Sequence, residues 1–145
     1  MLYKSYLKRG MVYLPTTIKQ GSSYLDIEPV TVVPVTDTKA LRCAMREAIQ
    51  KQSRYVPPSV DKAPKPPVLL KHTGDKSWSA FKRGASLWSI YEENGKYQIE
   101  GYRTHRKGYW EQDPNQMIEL PPGTPLDEVI DRMIAILQDA ARQQS

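Results

Sequence analysis

The sequence has one cysteine, one phenylalanine and no long apolar run, and these scarcities exclude several classes of protein. Cys43 cannot form an internal disulfide, which excludes a disulfide-stapled fold and favours a reducing compartment. The apolar runs are far shorter than the roughly 20 residues that a membrane-spanning helix needs. The opening MLYKSYLKRGMVYL is interrupted by basic residues and lacks the apolar core of a secretory signal. We therefore expect a cytoplasmic protein with no membrane partner.

Residue patterns typical of catalytic and metal sites are also missing. His72 and His105 lie far apart in the sequence, and one cysteine cannot complete a zinc site with them. The sequence contains no glycine-rich phosphate loop and no nucleophile elbow. A ribonuclease-like site around His105 would need a second acid or base that cannot be placed. We therefore expect a protein that is not an enzyme and that uses no metal or cofactor.

The sequence does have a moderate excess of positive charge, which is unevenly distributed. Its 145 residues include 21 Lys and Arg against 16 Asp and Glu, a net charge of +5. Residues 1–71 hold 12 basic and 5 acidic residues, whereas residues 72–145 hold 9 and 11. Nucleic-acid-binding proteins commonly carry one broad basic face. The acidic balance of the second half weakens that interpretation for the chain as a whole.

The apolar pattern predicts an α+β fold made of two similar halves. Segments rich in Val, Ile, Thr and Tyr at 11–18 and 24–35 predict strands, and a helical pattern then runs to residue 52. Five of the twelve prolines fall in residues 55–67, which predicts an extended connector. We predict a single domain over 1–145, an antiparallel sheet with helices packed on one face, in the order β-β-α and then (α)-β-β-β-α.

The two halves are residues 11–52 and 78–142, and the second contains the clearest local signals. Asn94-Gly95 predicts a tight turn between two strands, which places Trp88 opposite Gly101. MIEL at 117–120 predicts a third strand. Before the hairpin, VLLKH predicts a short strand and DKSWSAFKRG a short helix. The last helix is predicted from an apolar stripe at helical spacing, formed by Leu126, Val129, Ile130, Met133, Ile134 and Leu137.

The segment GYRTHRKGYW at 101–110 interleaves basic and aromatic side chains. Nucleic-acid surfaces use such a pattern, because cations meet phosphates while rings stack on bases. Its first residues are predicted to finish a strand, its middle to form a turn at Gly108, and its last residues to begin another strand. Two interpretations follow: a solvated loop without a binding role, or an exposed cationic tip that meets an acidic surface. Glu111 and Asp113 come next and partly offset the charge, which favours a protein partner over nucleic acid.

The layout of residues 78–140 resembles that of bacterial toxin-immunity proteins, notably those of contact-dependent growth inhibition systems. The resemblance is carried by LWSIYEENGKYQIEGY, the GYWEQDP turn and IELPPGTPLDEVIDRMIAIL. It implies a small, cytosolic, non-catalytic protein that binds one cognate toxin tightly. Inhibitors of nuclease toxins commonly offer acidic groups in place of phosphates, and the positive charge of this chain departs from that pattern. Binding beside the active site, or to an acidic toxin that is not a nuclease, is compatible with the charge.

Two functions therefore stand as hypotheses. The first is a protein-binding inhibitor with Tyr109 and Trp110 as aromatic anchors. Its predicted partner-binding residues are Arg103, His105, Arg106, Lys107, Tyr109, Trp110, Glu111, Asp113, Glu92 and Glu93. The alternative is a small nucleic-acid-binding module that uses the same basic residues. They would be backed by Lys8, Arg9, Arg42, Arg46, Lys51 and Arg54.

Overall fold

A computed structural model describes residues 1–52 and 64–144 of the chain. Within them the elements are β1 (Leu2–Lys8), β2 (Met11–Gln20), β3 (Ser23–Pro34), α1 (Thr38–Gln52), α2 (Leu70–Thr73), α3 (Trp78–Lys82), β4 (Ser86–Glu93), β5 (Lys96–Thr104), β6 (Trp110–Glu119) and α4 (Leu126–Gln144). The predicted α+β class is confirmed, and the two strands and the helix predicted in the first half are β2, β3 and α1. Most of the connector predicted at 55–67 lies outside the described residues.

The described strands form one antiparallel sheet in the order β3-β2-β1-β4-β5-β6. Strand β1 is absent from the prediction, yet it lies near the centre of the sheet and pairs with both β2 and β4. Tyr3 and Leu7 of β1 are buried on one face of the sheet, and Tyr6 is buried on the other. A strand covered on both faces shows no alternation of apolar and polar residues, so its period is hidden. Through β1, the two predicted halves share a continuous sheet.

The first face of the sheet is covered by α1 and α4. Helix α4 buries the predicted apolar stripe against the strands, chiefly through Val129, Ile130, Met133, Ile134 and Leu137. Leu41, Met45 and Ile49 of α1 join the same core. Each such side chain contributes about 1.5–3 kcal/mol when it leaves water. This burial, rather than helix propensity alone, fixes the two helices on the sheet.

The second face carries a smaller layer built from the short helices α2 and α3. Phe81 of α3 is fully buried within a cluster of aromatic rings, which also contains Tyr6, Tyr13, Trp78 and Trp110. Neighbouring rings meet mostly edge to face or tilted, the arrangements that aromatic pairs prefer. The predicted packing of helices on an antiparallel sheet is therefore confirmed. The structure adds a second layer, formed by α2 and α3, on the opposite face.

The short strand predicted from VLLKH is wrong. This segment forms a turn followed by α2, and Leu69 is buried in the aromatic cluster. A short apolar run indicates burial but does not distinguish a strand from a helical turn. The helix predicted from DKSWSAFKRG is α3. Its first turn is capped by Ser77, whose Oγ accepts a hydrogen bond from the backbone N–H of Ala80 at 3.1 Å.

The hairpin of β4 and β5 has the predicted register. Asn94 and Gly95 both adopt positive φ, at 53° and 76°, and Trp88 pairs with Gly101. A Cβ atom at Gly101 would lie 2.8 Å from Cζ3 of Trp88 and 2.7 Å from Cβ of Gln116. Only glycine fits there without a shift of its neighbours.

The third strand predicted at 117–120 is the end of a longer strand, β6. Its pairing with β5 shifts register between Glu100 and Tyr102. The strand start predicted at the end of GYRTHRKGYW is the beginning of this same strand. The irregularity interrupts the alternation of inward and outward side chains, so the sequence does not show that the two predicted pieces are continuous. At the start of β6, Trp110 contacts the aromatic cluster on the second face.

Candidate functional site

The turn between β5 and β6 presents the segment that the sequence singles out. β5 ends at Thr104 and β6 begins at Trp110, so the segment is the end of a strand, a turn and a strand start, as predicted. The backbone N–H of His105 donates to the carbonyl oxygen of Tyr109 at 2.7 Å, and that of Gly108 donates to the carbonyl oxygen of His105 at 2.8 Å. Gly108 has a φ of 95°, as its predicted role in the turn requires. We call this five-residue turn, 105–109, the β5–β6 turn.

Within the β5–β6 turn, the rings of His105 and Tyr109 stack. Their centroids are 4.4 Å apart and their planes differ by 8°. The imidazole is further fixed because its Nδ1 accepts a hydrogen bond from the backbone N–H of Lys107 at 3.0 Å. Tyr109 is nevertheless 51% exposed, the largest exposed fraction among the described large apolar side chains. The turn therefore presents an aromatic ring that is both accessible and held in one orientation.

Trp110, the second predicted anchor, points the other way. Its ring packs against Trp78 and Tyr6 on the second face, with centroid distances of 5.7 and 5.5 Å. The indole is only partly accessible, because this packing covers much of its surface. Of the predicted aromatic pair, Tyr109 is the outward-facing member and Trp110 secures the turn to the aromatic cluster.

Arg103 lies on the opposite side of this hairpin end from the aromatic cluster. It pairs across the strands with Glu111, one position away from Trp110, and alternate residues of a strand face opposite sides. Its Nε donates to Oε1 of Glu111 at 3.0 Å, and its Nη1 lies 3.8 Å from Oδ1 of Asp113. These three predicted residues therefore form a mixed-charge group. The two carboxylates neutralise Arg103 rather than the cations of the β5–β6 turn.

Glu92 and Glu93 are not brought to this site. They pair with Tyr97 and Lys96 at the start of β5, whereas the β5–β6 turn follows its end. At about 3.3 Å per residue, the two ends of β5 are separated by more than 20 Å. Oε1 of Glu92 instead accepts a hydrogen bond from the backbone N–H of Gly95 at 3.1 Å. The predicted set therefore falls into two separate places on the molecule.

The structure adds two cations that the sequence does not connect to this site. Lys82 and Arg83, at the end of α3, lie beside the β5–β6 turn, and Nζ of Lys82 donates to the carbonyl oxygen of Gly108. Together with Lys107 they line an open cleft of about 600 Å³ between α3 and the turn. Both residues stand in the predicted helix DKSWSAFKRG, but only the packing of that helix on the second face brings them here. We call this feature the cationic cleft.

Most of the basic residues that would support nucleic-acid binding have acidic partners within the chain. Lys8 is buried, lies 3.3 Å from Oδ1 of Asp75, and donates to two carbonyl oxygens of α3. Arg9 pairs with the same carboxylate at 2.9 Å. The two ion pairs Arg42–Asp131 and Arg46–Asp127, at 2.8 and 2.7 Å, join α1 to α4. Lys51 is exposed at the end of α1, and Arg54 lies outside the described residues.

A buried carboxylate on the second face is satisfied by neutral donors. Glu100 is 4% exposed and accepts hydrogen bonds from Ser89 at 3.3 Å, Tyr102 at 3.2 Å and Gln112 at 2.8 Å. Burial, followed by the negative charge of Glu100 and the hydrogen bond to it, raises the pKa of the Tyr102 phenol above its ordinary value, so it stays a proton donor. These bonds join β4, β5 and β6, which is a structural role for Glu100.

The histidines and the cysteine are dispersed. Nε2 of His72 lies 2.9 Å from Oε1 of Glu28, whereas His105 is stacked in the β5–β6 turn. Cys43 is exposed on α1. Over residues 1–52 and 64–144, no three His, Cys, Asp or Glu side chains converge as metal ligands. The helices of this same part of the chain are all too short or too polar to cross a membrane.

Comparisons with known proteins identify a solved structure with a similar fold. No protein-family model matches the chain, and no curated protein matches its sequence. A solved structure of a Neisseria meningitidis protein, described as a protein of unknown function, matches with a TM-score of 0.65. The match covers 95% of this chain and 93% of that chain at 15% sequence identity. The two proteins therefore share a fold across almost their whole lengths.

Proposed function

We propose that this chain is a binding protein that neutralises a cognate bacterial toxin by protein–protein contact, as the immunity proteins of contact-dependent growth inhibition systems do. The observation that carries the proposal is the half-exposed Tyr109, held in the β5–β6 turn by its stack on His105. Tyrosine is enriched among the residues that contribute most to protein interfaces, because its large ring loses little conformational entropy on binding. The proposed role uses binding alone and requires no catalytic residue.

The rigidity of the β5–β6 turn supports this role. Two backbone hydrogen bonds close the turn, and Trp110 packs in the aromatic cluster directly after Tyr109. Association costs less free energy when the contacting side chains are already ordered in the free protein. An aromatic ring that is already ordered therefore favours tight binding of one partner, which an immunity protein needs.

The charge distribution favours a protein partner over nucleic acid. Arg106 and Lys107 of the turn are exposed, and on the other side of the same hairpin Arg103 is paired with Glu111 and Asp113. Mixed charges are typical of the rim of protein interfaces, where they steer and orient the partner. Nucleic-acid binding instead depends on many uncompensated cations, each neutralising a phosphate. The ion pairs of Lys8, Arg9, Arg42 and Arg46 reduce that supply.

Co-purification tests the proposal. Immunity and toxin genes are expected side by side, so the tagged chain is co-expressed with the product of the adjacent upstream gene. We expect a stoichiometric complex that survives size-exclusion chromatography. Failure to recover a complex, together with a neighbouring gene that encodes no secreted toxin, would contradict the proposal.

A salt titration tests the nucleic-acid alternative separately. The free chain is titrated with generic duplex DNA and with single-stranded RNA at low and at physiological ionic strength. The alternative predicts binding that weakens steeply with salt. We expect no measurable binding even at low ionic strength, which would eliminate the alternative, whereas binding at low salt that weakens steeply as salt is added would favour it.

A further inference from the structure

The cationic cleft between α3 and the β5–β6 turn carries a charge pattern that the aromatic anchor does not explain. Lys82, Arg83 and Lys107 line it, and no carboxylate stands among the described residues that form its walls. Neither Arg83 nor Lys107 forms an ion pair with a described carboxylate. Three like charges in one depression repel one another and destabilise the free protein slightly. An anion that enters the cleft relieves this repulsion.

Both walls of the cationic cleft are held in place by contacts within the chain. Lys82 is held in place because its ammonium donates to the carbonyl oxygen of Gly108, which ties α3 to the turn. Phe81, the residue before it, is 0% exposed in the aromatic cluster, so the end of α3 cannot easily move. The opposite wall is the β5–β6 turn with its own backbone hydrogen bonds. The distance between the two walls is therefore already set in the free protein, before an anion binds.

We infer that the cationic cleft binds a carboxylate-rich segment of the partner protein, an inference that rests on the proposed function of the chain. Gly108, which precedes Tyr109 in the chain, lines the cleft, so one partner surface can contact the ring and place its acidic side chains between Arg83 and Lys107. Arg83 can take a carboxylate in two parallel hydrogen bonds, and Lys107 offers a point charge. The net positive charge, which departs from nuclease inhibitors that imitate phosphates, is then what an acidic partner requires.

The surroundings of the cleft favour carboxylates over a phosphate backbone. A nucleic acid needs a track of cations along which successive phosphates lie. Beyond the turn, the edge strand β6 contains no Lys or Arg, so it offers no further cations for successive phosphates. A protein segment needs only a few acidic side chains at one place. The localised cluster therefore matches a protein partner.

Peptide titration of the full chain tests this inference without knowledge of the partner. Capped hexaglutamate peptide, and separately a thymidine oligonucleotide of equal net charge, are added to isotope-labelled protein and followed by NMR. We expect the peptide to shift amide signals of 79–85 and 104–108 and to bind at least as tightly as the oligonucleotide. The double variant Arg83→Glu/Lys107→Glu should weaken peptide binding at least about tenfold. Lys96→Glu, exposed at the far end of β5, should leave it within about twofold.

Each remaining outcome overturns the inference or separates it from the proposed function. Absence of shifts in the cleft, equal weakening by Lys96→Glu, or tighter binding of the oligonucleotide would overturn it. If the adjacent gene product forms a complex that Arg83→Glu/Lys107→Glu leaves unchanged, the cleft is wrong and the proposed function stands. If the peptide binds in the cleft but no complex forms with the adjacent gene product, the proposed function fails and the cleft remains an acidic-peptide site.

Discussion

The imidazole of His105 lies parallel to the phenol ring of Tyr109, with centroids 4.4 Å apart. The stack spans the two ends of a five-residue turn, where the backbone N–H of His105 also donates to the carbonyl oxygen of Tyr109. Ring stacking and backbone bonding therefore fix the same two residues. This arrangement makes Tyr109 the ring that a partner would contact first. The neighbouring Trp110 has a different role, because its ring packs in the aromatic cluster.

Replacement of the exposed ring should affect binding more than folding. We expect Tyr109→Ala to lower the free energy of unfolding by less than about 1 kcal/mol, because the ring is half exposed. The same change should weaken binding of the co-purified partner by about thirtyfold or more, the loss typical of a central aromatic contact. Urea denaturation and calorimetric titration measure the two effects.

Val32→Ala is the matched control for Tyr109→Ala. Val32 is 36% exposed on β3, at the opposite edge of the sheet. We expect it to leave partner affinity unchanged. Equal losses of affinity in both variants would show that Tyr109 is no anchor.

Trp110 should behave in the opposite way. Trp110→Ala removes a ring that contacts Tyr6, Trp78 and Phe81, and large-to-small changes at such positions cost about 3 kcal/mol. Trp110→Phe keeps part of the contact and should cost clearly less. Urea denaturation checks both values. A fully stable Trp110→Ala protein would mean that the aromatic cluster does not hold the β5–β6 turn.

Asp75 should make the stability depend on pH in the acid range. The hydrogen bond from Arg9, assisted by Lys8, holds the pKa of the Asp75 carboxyl below its ordinary value of 3.8. A carboxyl whose pKa is lower in the folded than in the unfolded chain stabilises the fold above the unfolded value, and this contribution disappears as the pH falls through the folded value. Asp75→Asn should therefore be less stable than wild type at neutral pH, and the difference should shrink below about pH 3.8.

Urea denaturation of wild type and Asp75→Asn over a pH series measures this difference. Asp127→Asn is the matched control, because its ion pair with Arg46 is exposed and worth at most about 1 kcal/mol. A difference between wild type and Asp75→Asn that stays constant down to the most acidic point would contradict the role given to Asp75.

Gly101 should tolerate no side chain. Gly101→Ala places a methyl group 2.8 Å from the Trp88 ring and 2.7 Å from Cβ of Gln116, and such overpacking costs about 1–3 kcal/mol. Thr104→Ala, exposed on the same strand, should change the free energy of unfolding by no more than about 0.5 kcal/mol. Thermal and urea unfolding of the two variants compare them. If Gly101→Ala left the stability unchanged, the neighbours Trp88 and Gln116 would be able to move away from the added methyl group at no cost in free energy.

Local signals explain what could be predicted from the sequence. Asn94-Gly95 sets the register of a whole hairpin, because few turns other than this one fit two strands joined by two residues. Helix α4 was predictable for a similar reason, since its apolar stripe has one period over its length. Strand β1 was not, because burial on both faces removes the alternation that reveals a strand.

Which residues come together at the candidate site is decided by tertiary packing, which the sequence does not show locally. Lys82 and Lys107 are separated by 25 positions in the sequence and share a cleft only because Phe81 anchors α3 on the second face. In the same way, the ion pairs between α1 and α4 join residues more than 80 positions apart, and no local pattern announces them. The β5–β6 turn, with all its residues adjacent, was the part of the site that the sequence could locate.

Growth protection tests the central claim most directly. Cells that express the product of the adjacent upstream gene are supplied with wild-type chain, Tyr109→Ala or Val32→Ala at equal intracellular levels. Neutralisation by protein contact through the β5–β6 turn predicts survival with wild type and with Val32→Ala, and loss of survival with Tyr109→Ala. Growth inhibition that the wild-type chain does not relieve, or protection that Tyr109→Ala retains in full, would contradict it.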